Sequence, residues 1–593
     1  MRVFRFCFLA SAATCSILIG FALAPRIAQA QSGDVLVEHD VPAKMRDGVM
    51  LKADIYRPKA PGEYPVLLQR TPYDKTNARS FGMKAAARGY IVVVQDVRGR
   101  YTSDGEWYPF RHESEDGYDT VEWAATLPQC SGKVGMFGGS YVGATQMLAA
   151  IASPPHLAGI APHVTASNYH ENWTYQGGVF EQWFDQSWAS GLAQNTLTRY
   201  VVKETDPGIW KDTLPLTNYP LLPFPDPMAL APYYRDWLAH PAYDDYWKSI
   251  SIEEFYSRIQ VPILHIAAWY DIFLGGSLRN YVLLKTQAGS ETARHGQHLL
   301  VEIGGHAGGA GQRKIGEVDF GAEAPHDSDE ILIHWYDFLF KGAKNEFAGN
   351  KPVRIFVMGT NVWRDEDDWP LARAKPTRYF LHSAGKANGS SGDGSLDTKG
   401  PSTESADSFV YDPANPAPTI GGPLCCDSAH LAPGPRDQRA VEERKDVLVY
   451  TTPAFTKETE VTGPISLDLF ASTSAKDTDF TAKLVDVWPD GFAQNLTEGI
   501  LRLRYRESRE KAETVKPGEI YHLVIDLWAT SNVFLPGHRL RLEVSSSNFP
   551  RFARNLNSGE DAATGTLMTT ATNTTYHDKE HPSALVLPIV PQP

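Results

Sequence analysis

A parallel α/β domain, interrupted by a helical insertion and followed by an all-β domain, is the architecture this sequence predicts. Three observations carry the prediction. Apolar, β-branched runs alternate with helical stretches over residues 35–160 and again over 261–339, the pattern of βαβ units. Between them, residues 165–255 are rich in Trp, Tyr and Pro and show helical stretches but no clear strands. Beyond residue 350 the apolar period becomes two, with almost no helix, which implies an antiparallel sandwich.

The elements follow in order. Arg2 and Arg5, the apolar stretch 6–24 and the small-x-small sequence Ala28-Gln29-Ala30 read as a secretory signal peptide cleaved after Ala30. A secreted or periplasmic bacterial protein is therefore expected; no lipobox precedes Cys7 or Cys15. Strands are expected at 35–37, 51–56 and 64–69, separated by turns at Arg46-Asp47-Gly48 and Lys59-Ala60-Pro61-Gly62. A helix at 81–88 leads to the apolar run 90–96, which suits a strand buried on both faces. A polar loop at 98–107 and a helix at 115–127 precede Lys133-Val134-Gly135-Met136-Phe137-Gly138-Gly139-Ser140-Tyr141-Val142-Gly143, which reads strand, sharp turn, helix. Helices are expected at 184–192 and 233–239 within the insertion. Strands resume at 261–268 and 298–303, and an amphipathic helix at 328–339 closes the α/β part. The Gly/Ser-rich stretch 384–406 reads as a surface loop, followed by strands at 447–450, 465–470, 480–487, 521–528 and 539–544. The expected division is thus a signal peptide at 1–30, an α/β domain built from 31–164 and 256–350, a helical cap at 165–255 and a β-sandwich at 351–593.

Composition bounds the partners. With 26 Tyr, 26 Phe and 14 Trp among 593 residues the chain has ample material for folded cores. Removing the three arginines of the signal leaves 53 basic and 70 acidic residues, a formal charge of −17. That acidity disfavours nucleic acid and anionic membrane as partners, points to a small molecule, and leaves self-association into a homo-oligomer open. No CxxC, HExxH or EF-hand loop occurs, so neither a metal nor a cofactor is expected; His295 and His298 read as surface residues. After the signal the cysteines are Cys130, Cys425 and Cys426. Three cannot all pair internally, and the adjacent pair cannot close an ordinary long loop; nothing in the sequence supports a link from Cys130 to either, and the pairing stays open.

The glycines around Ser140 are what a nucleophile elbow needs, since they let strand and helix approach while the turn lifts the hydroxyl clear of the sheet. A serine hydroxyl needs a base in reach, and the base needs an acid to hold its tautomer. In an α/β-hydrolase both stand at the carboxyl ends of later strands, in the order Ser, Asp, His. The two resumed strands end in Trp269-Tyr270-Asp271 and in Gly304-Gly305-His306. Asp271 alone also suits a helix cap, and His306 alone a loop; three such positions in order argue for a triad. The amide of Tyr141 lies where an oxyanion donor is required, and the loop Thr71-Pro72-Tyr73-Asp74-Lys75 offers the Tyr73 hydroxyl as a second.

Gly138-Gly139-Ser140-Tyr141-Val142-Gly143, Arg70-Thr71-Pro72-Tyr73, Trp269-Tyr270-Asp271 and His306 together resemble the bacterial cocaine esterase (CocE/NonD) family. Its relatives are the α-amino-acid ester hydrolases, glutaryl-cephalosporin acylases and X-Pro dipeptidyl-peptidases. The resemblance extends to Asp96-Val97-Arg98-Gly99, to His240-Pro241 with Tyr243-Asp244-Asp245, and to Ser547-Asn548-Phe549-Pro550-Arg551-Phe552, so it covers essentially the whole chain after the signal. It implies an α/β-hydrolase domain with a helical cap and a C-terminal, galactose-binding-like jelly roll. It also implies Ser140 as nucleophile, His306 as base, Asp271 as orienting acid, and Tyr73 OH with Tyr141 N–H as oxyanion hole. The α-amino ester hydrolases hold the substrate ammonium with acidic residues close after the triad aspartate. Here Phe273 and Leu274 stand two and three places on. Phe273, with Trp173 in the cap, instead resembles part of an apolar acyl pocket. Before His306, Gly304-Gly305 replaces the family's commoner Pro-Trp. The expectation is a secreted serine hydrolase that cleaves an ester or amide of a small acyl substrate through an acyl-enzyme. X-Pro dipeptidyl-peptidase and cephalosporin or α-amino ester acylase activities are the alternatives, and a non-catalytic binding protein is the reading from another class.

Overall fold

The computed structural model describes residues 34–197, 211–218, 230–306, 310–349 and 351–591. The expected signal peptide and its cleavage site after Ala30 lie outside the described residues.

The α/β part is a ten-stranded sheet. Its strands are β1 (Val35–Lys44), β2 (Met50–Pro58), β3 (Tyr64–Thr71), β4 (Ile91–Asp96), β5 (Cys130–Gly139), β6 (Leu157–His163), β7 (Ile263–Tyr270), β8 (Gln297–Gly305), β9 (Val353–Val357) and β10 (Val362–Glu366). They lie in the order β1-β2-β4-β3-β5-β6-β7-β8-β9-β10. Neighbours from β4 to β9 are parallel, and only the outer pairs are antiparallel. Every residue of β4 is buried, as its unbroken apolar run requires of a strand covered on both faces.

Alternation along the strands sorts the two faces. Leu67, Val92, Val94 and Phe137 pack under α1 (Arg79–Ala87) and the late helix Ser328–Lys341. Val66, Leu68, Ile91, Val93, Val134 and Met136 pack under α2 (Glu113–Ala125) and α3 (Tyr141–Ile151). The insertion contributes α4 (Gln182–Leu197) and α5 (Pro232–Ala239). It also holds a small hairpin, Tyr175–Gln176 paired with Val179–Phe180, where no strand was expected; two-residue strands are too short to show a period. Helix α6 (Leu274–Gln287) follows β7 directly.

The expected boundary at residue 350 cuts through the sheet. β9 pairs parallel with β8, and β10 pairs antiparallel with β9, so the α/β sheet runs on to Glu366. The remaining chain is all-β, an eleven-stranded sheet whose long strand Thr459–Thr473 pairs with Tyr521–Phe534, Ala571–Tyr576 and Ala584–Val590. Its core is not separate: Leu467, Ile525, Leu527 and Leu542 share one buried cluster with Trp269, Tyr270, Val301 and Ile303 of the α/β sheet. Within the Gly/Ser-rich stretch, Ser395–Asp397 pairs with the end of Lys375–His382 and is therefore sheet as well as loop.

The cysteine pairing that the sequence left open is settled, and one further expectation is corrected. Cys425 and Cys426 are bonded to each other and Cys130 is a free thiol, so no link from Cys130 forms. His295 is exposed, but His298 packs against the rings of Trp335, Phe338 and Phe347, and burial lowers its pKa to about 4. Among the described residues no helix is long and apolar enough to cross a membrane.

Candidate active site

The turn after β5 is where the backbone is forced. Ser140 sits at φ 61° and ψ −129°, a region a side chain rarely adopts, so surrounding contacts must hold it there. Gly138 and Gly143 provide the space: a Cβ at Gly138 would lie 2.4 Å from Val142, and one at Gly143 would lie 2.8 Å from Thr165. The Ser140 amide donates to the His163 carbonyl at the end of β6 (2.9 Å), and its own carbonyl opens α3 by accepting from Gly143 and Ala144.

Asp271 and His306 stand immediately beyond β7 and β8, strands that pair in parallel register. The side chains converge on Ser140. His306 Nε2 lies 2.8 Å from Ser140 Oγ, and His306 Nδ1 lies 2.6 Å from Asp271 Oδ2. Asp271 is fully buried, and its other oxygen accepts the Phe273 amide at 2.7 Å. A carboxylate held at both oxygens leaves Nδ1–H as the donor toward Asp271 and Nε2 as the acceptor toward the hydroxyl.

Tyr73 comes from the loop after β3. Its hydroxyl is within hydrogen-bond reach of Ser140 and accepts from Trp188 Nε1 at 2.8 Å. Burial pushes its pKa up, and although the hydrogen bonds with Trp188 and Ser140 oppose the shift it settles at about 12, so the phenol stays a donor at neutral pH. The Tyr141 amide is among the first of α3 and has no acceptor within its own helix. The Tyr141 ring is anchored elsewhere: its hydroxyl donates to Glu113 (2.9 Å) and accepts from the Phe110 amide (2.8 Å). Glu113 is in turn held by the fully buried Arg70 at 2.7 Å.

Trp173 and Phe273, far apart in sequence, stack face to face at 4.3 Å and 11°. Phe273 meets the His306 ring edge-on at 5.0 Å. Phe184 and Trp188, one turn apart on α4, extend this wall. Trp173 and Phe273 are both almost wholly buried, so their rings form a packed apolar wall beside the base.

Behind the base lies a buried carboxylate that the sequence reading passed over. Glu302 on β8 has His163 Nε2 at 3.4 Å and His326 Nε2 at 2.6 Å. Burial opposes its charge, but the bonds to His163 and then His326 outweigh burial and hold its pKa at about 2. An acid inside the apolar run 298–303 was the available signal. Nothing comparable in the sequence marks Glu113, His163 or Trp188. Among the described residues no group of three or more His, Cys, Asp or Glu side chains is placed to hold a metal ion.

A serine, an aspartate and a histidine beyond the ends of three strands of a parallel sheet, with the serine on a strained strand-to-helix turn, define a serine hydrolase of the α/β class. Family models agree. Residues 47–308 match the X-Pro dipeptidyl-peptidase (S15 family), and residues 345–586 match the X-Pro dipeptidyl-peptidase C-terminal non-catalytic domain. The chain is 40% identical over 580 residues to the cocaine esterase of Rhodococcus sp. (strain MB1 Bresler), covering 94% of this chain and 99% of that protein. It therefore belongs to the cocaine esterase (CocE/NonD) family of hydrolases. A putative serine esterase of Mycobacterium bovis is 26% identical, covering 86% of this chain and 90% of that one. Among solved structures, an aminopeptidase from a marine sediment Thaumarchaeota archaeon superposes with a TM-score of 0.82 at 26% identity, over 97% of this chain and 99% of that one. An α-amino acid ester hydrolase superposes with a TM-score of 0.79 at 24% identity, over 97% of this chain and all of that one, and so shares the fold.

Proposed function

We propose that this protein is a secreted serine esterase for small substrates with an apolar, preferably aromatic, acyl group. The observation that carries the reading is the unbroken chain Asp271–His306–Ser140, with the Tyr73 hydroxyl beside it. Ser140 Oγ attacks the acyl carbon while His306 Nε2 takes its proton, and Asp271 holds the imidazole and offsets the positive charge it acquires. The negative charge developing on the carbonyl oxygen meets two donors, Tyr73 OH and Tyr141 N–H, already in place before the reaction. His306 returns the proton to the leaving oxygen or nitrogen. Water, activated by the same histidine, then releases the acyl group from Ser140.

The acyl preference rests on the Trp173–Phe273 stack. An ammonium anchor close after Asp271 would require acids at 273 and 274, and both side chains are buried and apolar. That favours simple esters over α-amino esters and over peptides recognised by their amino terminus. Export rests on the N-terminal sequence, and a mature chain starting at Gln31 tests it.

The central test is Ser140→Ala assayed with p-nitrophenyl esters and with a fluorophosphonate probe. Loss of both turnover and labelling with an unchanged fold is expected; retained turnover rejects the assignment. Ala-Pro-p-nitroanilide turned over faster than p-nitrophenyl benzoate would instead make the protein a dipeptidyl-peptidase.

A further inference from the structure

One residue before Trp173 and two after Phe273 the chain borders a cavity of about 370 Å³. Its walls come from the insertion around Glu171 and Gln176, from α6, and from the all-β strands Ala493–Arg502 and Tyr521–Phe534. Among the described residues, neither the triad nor Trp173, Phe273 or Tyr73 lines it.

Ionisable groups of both kinds line this space, Asp526 and Arg279 on its exposed side and Glu171 further in, where burial pushes its pKa up to about 7. Glu171 uses one oxygen on the Gly177 amide (2.9 Å), and Asp526 uses one on the Trp528 amide (2.7 Å). Neither carboxylate has an ion-pair partner within 4 Å among the described residues. Arg279 pairs through Nε with Glu253 at 2.8 Å, and Arg509 lies 3.7 Å from the same carboxylate, so each guanidinium retains free N–H groups. Gln176 is 2% exposed; its oxygen accepts from Arg551, but its Nε2 has no hydrogen-bond partner. A buried amide donor left unmatched is costly, and an acceptor placed in the cavity removes that cost. Leu278, Val282 and Trp528 supply an apolar side. Two wall residues, Asn172 (φ 73°) and Trp528 (φ 59°), hold left-handed backbone without being glycine, and strain of this kind clusters at ligand sites.

We propose that this cavity is a second binding site, taking a free α-amino acid with an apolar side chain. The ammonium meets the spare oxygens of Glu171 and Asp526. The carboxylate meets Gln176 Nε2 and the free N–H groups of Arg279 and Arg509. The side chain lies against Leu278, Val282 and Trp528. The volume is of the order that small-ligand pockets occupy, and both ends of a zwitterion find a partner that the protein alone leaves unused.

The test is calorimetric titration of L-leucine into the full-length Ser140→Ala protein, where nothing can be turned over. One-to-one binding is expected. L-leucinamide, which lacks the carboxylate, and 4-methylpentanoate, which lacks the ammonium, should each bind at least about tenfold more weakly. Asp526→Asn and Arg279→Gln should weaken L-leucine by a similar factor. Absence of binding at millimolar L-leucine overturns the proposal, as does leucinamide binding as tightly as leucine; both comparisons use one protein and do not depend on a variant folding. Titration into wild-type protein sulfonylated at Ser140 by phenylmethanesulfonyl fluoride should leave L-leucine binding unchanged. Its loss there would place the ligand in the esterase site and overturn a separate one.

Discussion

Tyr73 reaches Ser140 because Trp188, from a different part of the chain, donates to its hydroxyl and fixes its direction. With its pKa raised to about 12 it remains a neutral donor across the working range, and removing that donor should be felt in the transition state more than in binding. Tyr73→Phe should lower kcat for p-nitrophenyl esters by about 10²–10³-fold with KM little changed, as loss of one oxyanion donor does. A kcat within threefold of wild type would assign the phenol a packing role. Phe273 acts through its faces, against Trp173 on one side and His306 at the edge. Phe273→Ala should raise KM for p-nitrophenyl benzoate but hardly for the acetate, lowering benzoate selectivity by about tenfold, in line with roughly 1–2 kcal/mol for a lost aromatic contact. An equal loss on both substrates would mean that the ring only supports the fold. Both aromatics were legible in the sequence as candidates, whereas Trp188 as the partner of Tyr73 was not, because that contact bridges two elements distant in the chain.

At the scale of an element, β8 carries two functions on one strand. Its end presents His306, while Glu302 binds the end of β6 through His163 and the segment beyond His306 through His326. The segment Gly304-Gly305 adds little stiffness of its own, and the Glu302 bridge adds a side-chain tie between the ends of β6 and β8, each of which also pairs with β7. The carboxyl's folded pKa of about 2 lies below its ordinary value of 4.5. A depressed carboxylate contributes stability that is complete above about pH 4.5 and is lost as pH falls toward about 2, on the order of 3 kcal/mol. Glu302→Gln should therefore lower denaturant stability by about that amount at pH 7 and shrink the difference from wild type at pH 3. A constant difference across that range would show that the charge plays no part. Periodicity located β8 correctly and also displayed the acid inside it. The two histidines that give the acid its meaning lie on other elements, so their approach was not readable from the strand.

For the whole molecule, the decisive feature is one hydrophobic core running from the α/β sheet into the all-β domain. Trp269 Nε1 donates to the Phe356 carbonyl (2.7 Å), and Tyr270 OH donates to the Asn495 carbonyl (3.0 Å) while accepting from Gln494. These contacts hold the strand that delivers Asp271. A chain ending at Glu366 would expose the buried faces of Trp269, Tyr270, Val301 and Ile303 to water. It should be insoluble or inactive, and co-expression with 367–593 should restore activity. A soluble, fully active truncated protein would show that the all-β domain is dispensable to the site. The change of texture near residue 350 was visible in the sequence, yet β9 and β10 belong to the earlier sheet, since a short strand carries no mark of the sheet it joins.

Local pattern determined by itself the alternation of strands and helices in the α/β part, the all-β texture after it, the sharp turn at Ser140, and the placing of Asp271 and His306 at strand ends. Each of these depends on a few neighbouring residues: an apolar run, its period, and the small or polar residue that ends it. Only the tertiary structure decided what meets what. His306 joins Ser140 across 166 positions and Asp271 across 35, through a sheet order in which β3 lies between β4 and β5. The Trp173–Phe273 wall, the Glu302 bridge, the shared core and the cavity where three parts of the chain meet are likewise products of register and packing between distant segments. Such contacts are selected by how whole surfaces fit, which no short window of sequence specifies.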